Sequence, residues 1–260
     1  MDIKINNLEF GYSSFKVLDD ITLDLSEPQL VAILGPNGVG KSTLMHCINR
    51  ILIPDSGTVF INGKNSEDMG IRDIAKTVGY VPCFSTDTFS MSVVDTVLLG
   101  RHPHNRWRVS DEDLNMVYDI LNLLNIGDLA LRSFNELSAG QHQKVMLARG
   151  LAQEPQIMML DEPTANLDVR HQLEVMKILK ALVRQKGMLV IMVCHDINMS
   201  AKYADKIIMM SEGKVFAAGE PKDVINRESL MSVYHVEADI VDDHGSPHVI
   251  LQDDNIELKM

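Results

Sequence analysis

Gly35-Pro36-Asn37-Gly38-Val39-Gly40-Lys41-Ser42-Thr43 follows the apolar run Leu30 to Leu34 and opens a stretch of helical pattern. A glycine-rich turn between strand and helix that closes on Lys-Ser-Thr is the signature of a phosphate-binding loop. Glycines let the backbone wrap an oxyanion with its N–H groups pointing inward, and the helix starting near Lys41 adds the positive end of its dipole. In a loop of this kind Lys41 reaches the β- and γ-phosphates and the Ser42 hydroxyl ligates Mg²⁺. A glycine-rich turn without a ligand is the bland alternative, and the complete pattern with its flanks argues against it. The stretch therefore predicts a strand, a phosphate cradle and a helix in that order.

The elements around it follow from periodicity. Ile3, Ile5, Leu8 and Phe10 alternate imperfectly with polar residues, whereas Ile21, Leu23 and Leu25 alternate cleanly with Thr22 and Asp24, so both stretches read as half-buried antiparallel strands. The helix from Lys41 is predicted to run to about Ile51 and end at Pro54-Asp55-Ser56-Gly57, with a strand from Thr58 to Ile61 before the Asn62-Gly63 turn. Three later apolar runs, Gln156 to Leu160, Met188 to Cys194 and Lys206 to Met210, read as parallel strands covered on both faces. Between residues 84 and 152 the pattern becomes helical, with Leu114, Val117, Leu121 and Leu124 recurring at helical spacing. That portion reads as a helical subdomain inserted into an α/β core. Residues 236–260, with Ala238 to Val241 and Val249 to Leu251 around the turn Asp243 to Pro247, suggest a small C-terminal β extension after a main domain of residues 1–235.

A chain of 260 residues with 45% hydrophobic content can bury the core of one large domain carrying an insertion. Lys and Arg number 24 against 36 Asp and Glu, and a net charge of −12 argues against a broad duplex-DNA or anionic-lipid footprint, so no nucleic-acid partner is expected. Cys47, Cys83 and Cys194 match neither a disulfide framework nor a zinc pattern, which predicts reduced thiols in the cytosol. The residues following Met1 show no targeting pattern. No apolar run approaches the roughly twenty residues of a membrane span, so any membrane link is expected to come through a partner. The methionines at 158–159 and 209–210 lie in apolar runs, where core filling is their expected role.

In an open parallel sheet, ligands bind beyond the carboxyl ends of the strands. One run ends at the phosphate loop, a second at Asp161-Glu162 and a third at His195. Asp161, first off its strand, is placed to hold hydrated Mg²⁺, which suits a hard cation. Glu162 would face the γ-phosphate, where it can orient and deprotonate an attacking water. A solvated loop is the default reading of an isolated Asp-Glu pair; the four apolar residues before it and the Pro163-Thr164 turn after it reverse that judgement. For His195 a structural role and a catalytic one stand equal on position alone. Leu137-Ser138-Ala139-Gly140-Gln141 precedes a helix expected from about His142 to Ala152; Ser138 can cap it, and Ala139-Gly140 exposes backbone N–H groups to an anion.

Taken together these residues resemble the ATP-binding cassette family from about Ile3 to Gly219. The resemblance implies a P-loop NTPase core with an antiparallel β subdomain and an inserted helical subdomain. It implies that Tyr12 stacks on adenine, that Gly35 to Thr43 are the Walker A loop and that Ile157 to Glu162 form the Walker B strand. Leu137 to Gln141 then match the signature motif, Ala165 to Asp168 the D-loop and His195 the switch histidine. In that family two cassettes pack head to tail, and the signature helix of one caps the γ-phosphate held by the other. Single copies of each motif imply a homodimer that binds ATP and Mg²⁺, hydrolyses ATP at the cytoplasmic face of the membrane and drives transmembrane permease subunits. Gly100-Arg101-His102-Pro103-His104, after Gly79 to Pro82, together with the terminal stretch, is similar to cassettes of importers for iron chelates, haem and cobalamin. A substrate-binding protein is then an indirect partner.

Two departures from the family pattern bear on turnover. Cys83 stands where the family has a glutamine that contacts Mg²⁺, and a thiol is a poor ligand for a hard ion. Ala139 replaces a glycine, adding one methyl and keeping the backbone donors. Direct metal binding by His102 and His104 would need a third ligand that the segment lacks. A soluble cassette serving iron-sulfur cluster assembly is the alternative to transport, and a P-loop kinase a more distant one, since it leaves the signature and D-loop without purpose.

Overall fold

The computed structural model describes residues 1–13, 15–83, 91–104 and 108–252. Strand β1 (Asp2–Tyr12) turns into β2 (Phe15–Ser26), and β3 (Leu30–Leu34) leads through the glycine loop into α1 (Lys41–Ile48). Strands β4 (Ser56–Ile61) and β5 (Lys64–Asn65) precede α2 (Ile71–Thr77) and β6 (Val78–Val81). Helices α3 (Val93–Leu98), α4 (Asp111–Leu123) and α5 (Ala139–Leu151) follow. The chain then alternates through β7 (Ile157–Asp161), α6 (Val169–Lys186), β8 (Leu189–Val193), α7 (Ile197–Tyr203) and β9 (Lys206–Ser211). It closes with β10 (Lys214–Gly219), α8 (Pro221–Val224), α9 (Arg227–Tyr234), β11 (Ala238–Asp243) and β12 (Ser246–Leu251).

Among the described residues the strands form three sheets. Strands β2-β1-β4-β5 form an antiparallel sheet, and β10-β9-β3-β8-β7-β6 form the central sheet, parallel except for β10. The third is the β11–β12 hairpin. The imperfect alternation of β1 is a bulge: Asn7 adopts φ 48°, the register with β2 shifts between Ile5 and Leu8, and Ile3, Ile5, Leu8 and Phe10 all reach the core. In β3 the two-residue period divides the side chains between two cores. Leu30, Ala32 and Leu34 pack with the helical portion and α6, while Val31 and Ile33 pack with α1 and the antiparallel sheet. Met158, Met159, Met209 and Met210 are fully buried, as core filling requires.

Several boundaries differ from the periodicity reading. Helix α1 stops at Ile48 rather than near Ile51, because Arg50 turns left-handed at φ 53° and the Ile51 and Leu52 amides both return to the His46 carbonyl. Helix α5 starts at Ala139, three residues earlier than expected, because the reciprocal cap of Ser138 and Gln141 draws Ala139 and Gly140 into its first turn. On α4, Ile120 joins Val117, Leu121 and Leu124 in the core while Leu114 is only half-buried. Strand β6, which the apolar-run reading did not name, forms the edge of the central sheet beside β7. The expected start of the helical portion at residue 84 and the last eight residues of the terminal extension lie outside the described residues.

The hairpin docks on α7 through Asn198, whose amide donates to the Val249 carbonyl at 3.1 Å and accepts from the Val249 amide at 2.7 Å. Among the described residues no helix is long and apolar enough to cross a membrane.

Candidate functional site

The central sheet brings three strand ends into line. Ile33 pairs with Val193 and Asp161 with Val193, while the Glu162 amide donates to the Val193 carbonyl at 3.2 Å and the Cys194 amide to the Ile33 carbonyl at 3.2 Å. Residues just beyond β3, β7 and β8 therefore share one edge of the sheet.

The glycine loop is shaped by its contacts. A Cβ at Gly35 would lie 2.3 Å from the Met210 carbonyl oxygen, and one at Gly40 would lie 2.8 Å from Leu18 Cδ2. Both residues sit at positive φ, 147° and 98°, so glycine is required twice over. The buried Lys41 folds back on the loop, its ammonium donating to the Gly35 and Pro36 carbonyls at 2.8 Å each. Burial pulls the Lys41 pKa down, while the charges of Glu162 and Asp161 act in the opposite sense. A cleft of about 310 Å³ lies against the loop, lined by Tyr12, Phe15, Asn37, Gly38 and Lys41 through Thr43, with Glu162. Tyr12 is half exposed and meets Phe10 edge to face at 4.9 Å between ring centres. Gly35 is buried beneath the loop, and Pro36 and Val39 line a separate cavity against α9.

Ser42 and Asp161, far apart in sequence, meet here: the hydroxyl donates to the Asp161 carboxylate at 3.0 Å. A hydroxyl and a carboxylate converging at the root of a phosphate loop are hard oxygen donors of the kind Mg²⁺ takes. Asp161 is 7% exposed, and its charge adds to burial in pushing the Tyr80 phenol above its ordinary range. Tyr80 is tied in turn to His46 at 2.9 Å. Glu162 stands in the left-handed region at φ 50°, and one carboxylate oxygen lies 2.6 Å from His195 Nε2. With the carboxylate ionised, Nε2 carries the proton and donates it. The other carboxylate oxygen accepts from the Cys83 thiol at 3.8 Å. A half-exposed carboxylate held by an imidazole beside a phosphate cradle can orient a water and take its proton.

Ser138, Ala139, Gly140, Gln141 and Asp168 do not line this cleft. Ser138 caps α5, and the Gln141 side chain accepts from the Ser138 amide at 3.0 Å. Asp168 caps α6 through the His171 amide at 2.9 Å, and that hydrogen bond, with one from the His171 ring, holds its carboxyl below the usual range. The structure thus gathers Tyr12, the loop, Asp161, Glu162 and His195, and leaves the signature residues and Asp168 on a surface of their own. Phe15, Tyr80 and His171 are site neighbours that motif reading did not name.

Arg101, from the Gly100–His104 segment, is buried and bonded to Asp113, Glu154 and the Ala152 carbonyl. His104 bonds the Gln153 carbonyl at 2.8 Å while His102 is exposed. Among the described residues no three His, Cys, Asp or Glu side chains are placed to share a metal ion.

Comparison with known proteins agrees with this geometry. Residues 18–165 match the model of a family described as ABC transporter. An uncharacterized ABC transporter ATP-binding protein of Methanocaldococcus jannaschii is 45% identical over 96% of this chain and 98% of its own length. The ferric enterobactin transport ATP-binding protein of Escherichia coli K12 is 35% identical over 94% of this chain and 91% of its own. The hemin import ATP-binding protein of Escherichia coli O157:H7 is 35% identical over 96% and 99%. Among solved structures, the cassette of a metal-chelate type ABC transporter in an inward-facing conformation superposes with a TM-score of 0.85 at 29% identity, covering 96% of this chain and 97% of that one. A bacterial ABC transporter cassette solved as a dimer gives 0.74 at 29% identity, covering 84% and 98%.

Proposed function

This chain belongs to the ABC transporter family and carries its ATPase domain, and from that premise we propose that it is the motor of an importer for an iron chelate, haem or cobalamin. The relatives named for ferric enterobactin and hemin transport support the cargo class. They also favour import over the cluster-assembly alternative. Residues 1–235 serve as the ATPase domain, with a helical subdomain at about 84–152, and residues 236–260 as an appended β extension.

The observation that carries the reading is the pairing of Ser42 with Asp161 and of Glu162 with His195 beside one glycine loop. In the proposed mechanism the amides of Gly35 to Thr43 wrap the phosphates and Tyr12 stacks on adenine. Lys41 leaves the Gly35 and Pro36 carbonyls for the β- and γ-phosphates. Ser42 and Asp161 are the residues that would hold Mg²⁺, and the ion would supply positive charge to offset that of the phosphates. Glu162 orients the attacking water and takes its proton, and His195 fixes the direction in which Glu162 points. Ser138, Ala139, Gly140, Gln141 and Asp168 complete the site of a second copy, which is why they stand apart from the cleft of their own chain. Closing of that homodimer on ATP at the cytoplasmic face moves the transmembrane permease subunits, to which a substrate-binding protein delivers cargo. ATP drives the closure only by binding the closed dimer more tightly than the open one.

Glu162→Gln tests the assignment. ATP binding is expected to persist, hydrolysis to fall by about 10²–10⁴-fold, and a nucleotide-bound dimer to accumulate in gel filtration with light scattering. Hydrolysis at the parent rate refutes Glu162 as the base.

A further inference from the structure

The first turns of α5 and α6 are joined by one side chain. The His171 Nδ1 lies 2.9 Å from both carboxylate oxygens of Asp168, while the His171 amide holds the same carboxylate at 2.9 Å. The opposite edge of the ring faces Gly140: a Cβ built there would lie 2.3 Å from His171 Cδ2 and 2.8 Å from Nε2. One turn further along both helices, Lys144 and Glu174 form a second bridge at 3.1 Å. Nδ1 must carry a proton to donate to Asp168, so the ring has a fixed face toward Gly140 in either charge state.

We propose that His171 is a positioning residue that locks Ser138–Gln141 and Asp168 into one rigid surface for the nucleotide of a second copy. The inference rests on the dimer of the preceding section and adds a residue to it. The two motifs lie at the starts of different helices, Gly140 on α5 and Asp168 at the cap of α6, and the side chains that link those first turns are His171 and the Lys144–Glu174 pair. Were the α6 cap to turn independently of the α5 cap, each motif could satisfy only part of the partner's phosphate at a time. With the imidazole wedged between them, ordering of one orders the other, and the association is spared the cost of aligning them separately.

Three substitutions separate the contacts. His171→Asn keeps an amide N–H where Nδ1 stands, His171→Phe keeps the ring against Gly140 without the hydrogen bond, and His171→Ala removes both. Each is made in the Glu162→Gln background, and ATP-dependent dimerisation is measured by sedimentation equilibrium, ATP affinity of the dilute monomer by a fluorescent analogue, and stability by thermal melting. The Phe and Ala variants are expected to weaken dimerisation by about tenfold, the scale of one hydrogen bond to a charged group, with monomer ATP affinity unchanged and the Asn variant close to the parent. Dimerisation of the Phe variant at the parent affinity overturns the proposal. So does a loss of melting temperature and monomer ATP affinity in proportion to the loss of dimer, which marks His171 as a fold residue only. If the Glu162→Gln parent stays monomeric with ATP, it is the dimer reading that fails, and this inference with it.

Discussion

Arg101→Met puts an apolar chain of similar reach where a guanidinium now serves three acceptors. Arg101 Nε donates to Asp113 at 2.8 Å, and Nη1 donates to the Ala152 carbonyl at 2.8 Å and to Glu154 at 2.7 Å. The Arg101 and Asp113 side chains are 9% and 5% exposed, whereas Glu154 is 46% exposed. Burial alone would lower the Arg101 pKa, but the hydrogen bonds it donates to Glu154 and Asp113 outweigh that and raise it. Loss of the cation leaves Asp113 buried and charged, a change that costs about 3–5 kcal/mol. An unpaired buried carbonyl at Ala152 adds about 1–3 kcal/mol. Asp113 keeps the Ser110 amide at 2.9 Å and the Ser110 hydroxyl at 2.7 Å, which offsets part of the sum. Glu154 returns to water at little cost. A net destabilisation of about 3–5 kcal/mol is expected, or a fall in melting temperature of about 10 °C for a chain of this size.

Urea unfolding followed by circular dichroism reads the effect, and two further observations test its cause. Arg101→Met/Asp113→Asn should recover roughly half of the loss, because the buried charge that has lost its arginine is gone. The single variant should also be penalised less at low pH. In the variant, a carboxylate buried without its arginine is expected to bind a proton more readily folded than unfolded, so the penalty should be complete at higher pH and shrink as pH falls. A loss under about 1 kcal/mol, or one that is the same at about pH 7 and about pH 5, refutes the buried-charge argument.

Two more outcomes are expected. Cys83→Gln places a hard amide oxygen where a thiol now lies 3.8 Å from Glu162, and the ATPase rate should rise about threefold or more, which takes under 1 kcal/mol of barrier; an unchanged or lower rate contradicts it. Tyr234 has a buried hydroxyl without a hydrogen-bond partner among the described residues; burial pushes its pKa up to about 12, and the nearby Gly35 amide opposes this without reaching bonding geometry. Tyr234→Phe should raise stability by about 1 kcal/mol in thermal melts, and a lower midpoint refutes the reading.

Features that depend on local sequence were legible before any coordinates. The clean alternation of Ile21, Leu23 and Leu25, the buried runs of β7, β8 and β9 and the Ser138 cap all follow from residue spacing within one element. So did the strand ends that bring the glycine loop, Asp161-Glu162 and His195 to one edge, because a parallel sheet puts its ligand edge where its strands stop. Strand β6 was not legible, since four residues spelled Val-Gly-Tyr-Val carry too little period to separate a strand from a loop. Nor was the early stop of α1, where Arg50 turns left-handed and its guanidinium donates to the Ser66 and Met69 carbonyls of a distant segment. The Gly100–His104 segment was legible only as a family resemblance, and the inward turn of its arginine was not, because only the fold sets Asp113 and the Ala152 carbonyl opposite it. His171 escaped for the same reason: its two neighbours belong to two different motifs.

The adjacent carboxylates Asp161 and Glu162 show how backbone geometry gives neighbouring identical groups different surroundings. Asp161 ends a strand buried along its whole length and turns its carboxylate to Ser42. A regular strand would send Glu162 to the opposite face of the sheet. Instead Glu162 takes φ 50°, a conformation that costs a non-glycine residue about 1–2 kcal/mol, and the chain holds it there. Its amide is tied to Val193, its carbonyl receives the Ala165 amide at 3.1 Å, and its side chain is caught by His195. Three restraints drawn from β8 and the following turn thus outweigh one strained dihedral. In the proposed mechanism that strain has a use, since it keeps the water-activating carboxylate beside the cleft rather than beneath the sheet. The same geometry makes His195 more than an ornament of the strand end: of the three restraints it alone acts on the carboxylate itself, so loss of its bond would leave the backbone twist in place and leave the base directed only by the longer contact from the Cys83 thiol.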